Sequence, residues 1–218
     1  MTEDSQPKNR RWDPLVKVTH WGIVAAIIGN ALITEEGSGW HIWVGYGLAG
    51  RLALRLLWGL MGPKEARFSA FPPSFTRAFA HVREIRQGIV KPHHSHNPLG
   101  ALMVYAIWAC LLVIIISGIA MSGPPPANPA QAQEAHEALN IAPAVKNAEE
   151  EEEEEQEGVG QGAEAGETED MMEEVHEVAV NILYLLIALH IAGVIFETRR
   201  SGPHIARAML PFHGQKQP

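Results

Sequence analysis

One cysteine in 218 residues, Cys110, leaves no internal disulfide to be made. No C-x-x-C-H occurs, which excludes covalent c-type haem attachment. Lysine and arginine are almost missing from two long stretches: none between Lys17 and Arg51, and only Lys146 between Lys91 and Arg199. Residues 99–121 carry no charge at all, whereas 122–173 are poor in large apolar side chains. The first residues are polar and lack the apolar run of a signal peptide, so insertion into a membrane would have to come from later segments. Net charge −8 and mean hydropathy −0.04 are therefore averages over unlike materials. No nucleic-acid partner is expected.

What is present is a set of apolar blocks punctuated by histidine. Leu15–Thr34 is the first candidate span, with His20 near its start and Trp12 and Trp21 suited to an interfacial belt. A short acidic link follows, and His41 opens a second span to about Leu60, rich in glycine. Arg51 and Arg55 lie within it. Arg55 can snorkel to the nearer surface, while the deeper Arg51 suits a buried anion such as a cofactor carboxylate. Residues 75–89 read as a basic amphipathic helix, with Phe75, Phe79, Val82 and Ile85 near one face, lying in the headgroup layer. Asn97 and Pro98 supply the cap and first position of the third span, Leu99–Met121. Residues 122–173, with glutamate at every position from Glu149 to Glu155, are expected to be a disordered acidic loop. The fourth span, 174–198, closes on Arg199 and Arg200.

The expected fold is thus an all-α membrane protein, an up-and-down bundle of four transmembrane helices with interfacial helices. With four spans the two tails, 1–14 and 199–218, share a side with the loop after the second span. That side holds 16 of the 17 lysines and arginines, so it is assigned to the cytoplasm and the acidic loop to the periplasm. The chain is then a multi-pass protein of a bacterial inner membrane, surrounded by lipid. His20 and His190 fall at the cytoplasmic level, His41 and His176 at the outer level. His176 and His190 are 14 residues apart on one helix, about 21 Å of rise and close to the same face. Intramembrane ionisable groups read as functional, and facing imidazoles in a bundle are a natural bis-axial ligand set for haem iron. Gly22, Gly45 and Gly193 lie near the histidines and offer a flat ring close approach. Thr19 or Asn181 could hydrogen-bond a ligating ring. Single histidines elsewhere, His81 among them, are surface residues by default, and Cys110 is a small core residue.

The runs WDPLVKVTHW, HIWVGYGLAGRLALRLLWGLMGP, HNPLGALM and EEVHEVAVNILYLLIALHIAGV resemble the prokaryotic cytochrome b561 family, which includes the cytochrome b subunits of membrane hydrogenases. The resemblance implies two non-covalent haem b groups, one held by His20 and His190 and one by His41 and His176. It further implies that Arg55 and Arg51 meet haem propionates, and that His96, before NPLG, bonds a propionate or a quinone. The acidic loop departs from the family pattern.

The function that follows is electron transfer in a respiratory chain across the inner membrane, between the quinone pool or a membrane donor and a periplasmic redox protein such as a c-type cytochrome. An acidic outer surface would steer a basic partner. A homodimer is a further partner to consider. Two other classes compete. A superoxide:quinone oxidoreductase would need a positive approach field, and Glu35, Glu36, Glu173 and Glu174 oppose one. A divalent-metal transporter would need clustered histidines or oxygen ligands at one depth, and the spans lack central carboxylates.

Overall fold

A computed structural model describes residues 13–64, 66–89, 97–134, 162–203, 207, 209 and 210. Among them no strand occurs. The elements are α1 (Pro14–Leu32), α2 (Gly39–Met61), a 3-10 turn (Phe68–Ala70), α3 (Phe75–Arg86), α4 (Pro98–Ser122) and α5 (Gly162–Ser201).

Each start has a local cause. Asp13 Oδ1 accepts from the Leu15 and Val16 amides at 2.8 and 3.3 Å, with Pro14 at the first helical position. Ser38 Oγ accepts from the His41 amide at 3.3 Å and so caps the first turn of α2, which starts at Gly39. Ser74 caps α3 through the Arg77 amide at 3.3 Å. Asn97 Oδ1 takes the Gly100 amide at 2.7 Å, which starts α4 at Pro98. Gly123, at φ +63°, ends α4 in the left-handed region where a side chain would be strained.

Among the described residues, three helices are long and apolar enough to cross a membrane: α1, α4, and α5 from Asp170 to Ser201. Helix α2, at 23 residues, has the length, but Arg51, Arg55, His41 and its glycines dilute its hydropathy. The last helix begins at Gly162, well ahead of the expected boundary at 174. Alanine, glutamate and methionine between 163 and 174 are good helix formers, and acid near a helix start complements its dipole. An apolar-run criterion does not see such a start. The other end of the acidic stretch is ordered too. Trp43 Nε1 donates to Pro126 O at 2.9 Å, Tyr46 Oη to Gly123 O at 2.7 Å, and Gln133 Nε2 to Glu35 Oε2 at 3.3 Å. The glutamate run itself lies outside the described residues.

Helix α3 reverses one expectation. His81 is not at the surface but 3 % exposed, 3.7 Å from Glu84, while Phe75 and Phe79 are 73 and 74 % exposed. Ala78 and His81, three positions apart and so on one helix face, form the buried side. The phenylalanines are left on the outer side beside Arg77, Arg83 and Arg86, the arrangement of a helix whose apolar face meets lipid.

The chain divides into two compact units. One comprises 1–23, 51–109 and 183–218; the other comprises 24–50 and 110–182. The first is packed around Leu52, Ala66, Phe71 and Ala101. An aromatic cluster of Phe68, Phe71, Tyr105 and Trp108 sits in it, with ring centroids 5.6–6.5 Å apart. Gly59 makes this cluster fit, since a Cβ there would run into the Phe68 ring. The second unit buries Leu48, Leu111, Ser117 and Ala179. Cys110 is a core residue there, its thiol directed at the Ala179 carbonyl at 3.0 Å.

Candidate functional site

Two pairs of histidines meet, one in each unit. In the first unit His20 on α1 faces His190 on α5, with ring centroids 6.4 Å apart and planes at 54°. In the second, His41 on α2 faces His176 on α5 at 6.5 Å and 57°. These rings neither stack nor bond one another. A metal–imidazole bond is about 2 Å and a ring nitrogen about 1 Å from its centroid, so two imidazoles that held one ion between them would have centroids about 6 Å apart. Both pairs have that separation.

A bare cation needs more than two donors. Among the described residues no three His, Cys, Asp or Glu side chains cluster tightly enough to hold one. The remaining ligands must then arrive with the ion, and a planar macrocycle requires open space beside the imidazoles. Gly45 follows His41 by four positions and Gly193 follows His190 by three, so each shares a helix face with its histidine. A Cβ at either glycine would meet nothing within 4 Å. The donor set and the open faces fit haem.

Gly22 behaves otherwise. The Arg51 side chain fills its place, with Cδ and Nε 2.8 Å from where a Cβ would stand. Arg51 thus crosses α1 at Gly22, two positions past His20, with its side chain exposed. Arg55 is 5 % exposed. Its two terminal nitrogens reach the Ala66 carbonyl at 3.5 Å, and its guanidinium lies 5.0 Å above Trp108. Among the described residues no carboxylate lies within ion-pairing distance of it. His96 lies outside the described residues.

Sequence reasoning named Thr19 and Asn181 as partners for the rings, and the structure points elsewhere. The Thr19 hydroxyl donates within its own helix, to Leu15 O at 2.8 Å or Val16 O at 3.1 Å, and Asn181 is exposed. The hydroxyls that do reach histidines are Ser117, 3.0 Å from His176 Nδ1, and Thr34, 3.4 Å from His41 Nδ1. Gly118 makes room for the former, because a Cβ there would stand 3.2 Å from His176 Cε1. The available signal was a lone serine beside a glycine in the uncharged third span.

Compared with known proteins, the chain matches no curated protein and no solved structure. The family described as prokaryotic cytochrome b561 matches residues 11–212, nearly the whole chain. Its members are membrane proteins that transfer electrons through haem b. The chain belongs to the prokaryotic cytochrome b561 family.

Proposed function

We propose that the chain is a di-haem transmembrane electron carrier, holding one haem b through His20 and His190 and a second through His41 and His176. The observation that carries this is the twofold recurrence of facing imidazoles at 6.4 and 6.5 Å, each pair with an open glycine one turn away. Bound there, haem would supply reversible one-electron chemistry. The protein's share is placement. Each imidazole offers a lone pair from a rigid helix. Helix α5 serves both sites, at positions 14 residues apart.

Arg51 and Arg55 are the cations for the propionates of the His20–His190 site, in whose unit both lie. Arg55 is the stronger candidate, because its buried guanidinium rests on one carbonyl and an indole, with Asp13 acting on it only from beyond ion-pairing distance. Helix α2 is the fourth span, its 23 residues giving about 35 Å of rise. Both termini are cytoplasmic by the distribution of lysine and arginine, and the membrane is a bacterial inner membrane. The quinone pool and a periplasmic redox protein of c-type cytochrome kind are the terminal partners. Steering by the glutamate run gives the periplasmic encounter a rate that falls with salt.

The test is haem content and redox titration of the purified chain and four variants. Wild type is expected to bind two haems with a low-spin b-type spectrum. His20→Ala and His190→Ala should lose the same haem, and His41→Ala and His176→Ala the other. A colourless protein, or His20 grouping with His176, overturns the assignment.

A further inference from the structure

The two histidine pairs differ in what restrains their rings. Ser117 Oγ lies 3.0 Å from His176 Nδ1, and its own hydrogen has the Val113 carbonyl at 2.9 Å and the Ile114 carbonyl at 3.2 Å within reach. A hydroxyl has one hydrogen to give. With that hydrogen on a helix carbonyl, Oγ can meet the imidazole only as an acceptor, so Nδ1 must carry the proton. His41 repeats the arrangement in weaker form. Thr34 Oγ1 is 3.4 Å from its Nδ1 and can donate to Asn30 Oδ1 at 3.2 Å or Asn30 O at 3.4 Å. The Asn30 amide nitrogen in turn donates to the His41 carbonyl at 3.2 Å, which turns Oδ1 toward Thr34. Both arrangements favour the Nδ1–H tautomer, which leaves Nε2 as the lone pair. Among the described residues neither His20 nor His190 has a hydrogen bond to its ring; the contacts there are ring to ring.

We infer that Ser117 and Thr34 are positioning residues that make the His41–His176 site the lower-potential of the two. This deepens the di-haem reading and rests on it. A hydrogen bond accepted from Nδ1–H raises the basicity of Nε2. A more basic axial ligand favours the oxidised ion, so the site takes up an electron less readily. Electrons then run downhill from the His41–His176 site to the His20–His190 site.

The test compares Ser117→Ala, Ser117→Thr and Thr34→Val in the full chain. Ser117→Ala is expected to keep both haems and raise one midpoint potential, narrowing the gap. Ser117→Thr, which retains a hydroxyl, should restore it. Thr34→Val should raise the same midpoint by less, as its longer contact requires, and it carries the test if Ser117→Ala fails to fold. An unmoved midpoint in the folded variants, or a shift in the His20–His190 midpoint instead, overturns the inference. Nitrogen-15 NMR of the histidine-labelled, haem-free full chain provides a separate readout. His176 should show the Nδ1–H tautomer in wild type and a mixture in Ser117→Ala. A mixture already present in wild type counts against the inference. Failure of the wild type to bind two haems counts against the di-haem reading, and the NMR readout still decides the tautomer.

Discussion

The His20–His190 and His41–His176 pairs are near copies in separation and tilt, yet their surroundings have little in common. One lies in the unit that contains Arg51, Arg55 and the aromatic cluster; the other has a hydroxyl at each Nδ1. Equal ligand geometry beside unequal surroundings separates two jobs of a binding site. Helix placement sets whether an ion can be held, and neighbouring charges and hydrogen bonds set how readily it changes oxidation state.

The strongest way to break the comparison is to remove one site by shape alone. Gly193→Leu and Gly45→Leu each put a side chain into space that is now open beside one pair. We expect each variant to fall from two haems per chain to one. The remaining midpoint should belong to the site with its glycine intact, read by haem assay and redox titration. Two haems retained in both variants would show that these faces are not where the macrocycle lies.

A milder perturbation loosens one unit without touching a histidine. Gly59 is excluded from bearing a side chain by the Phe68 ring, which also packs on Tyr105 and Trp108. Overpacking of this kind costs about 1–3 kcal/mol. Gly59→Val should lower the temperature at which the His20–His190 haem is released while leaving the other haem nearly where it was. Equal loss from both sites would mean that the units do not yield independently.

How much of this could be read beforehand follows from which property each feature depends on. The histidine pairing was legible because depth in a membrane depends only on chain position, and topology then assigns partners. Capping at Asn97 was legible because it acts over three residues. The Ser117 and Thr34 contacts were not, since they depend on the rotation of one helix against another, to which sequence spacing is blind. The same blindness placed His81 outside. Helix α5 began early because its first turns are helical by propensity without being apolar. Gly22 illustrates a partial reading: a close approach was expected, and it is Arg51 that makes it.

The smallest expected effect concerns that arginine. A fixed positive charge stabilises an added electron, and in a low-dielectric setting it acts over several ångströms. Arg51 lies in the same unit as His20 and His190, but Gly22 is two positions from His20, about 200° around α1. The guanidinium therefore acts from beside the site rather than along the ligand axis, and its exposure brings screening. Arg51→Gln should accordingly lower the His20–His190 midpoint slightly, by less in high salt than in low, and leave the His41–His176 midpoint unmoved. Its sign is opposite to that of Ser117→Ala, which raises the other midpoint, yet both variants narrow the same gap. A double variant tests whether charge at one site and hydrogen bonding at the other act separately. Additive shifts are expected for groups with no shared partner, and a non-additive result would mean that the two sites sense each other's oxidation state.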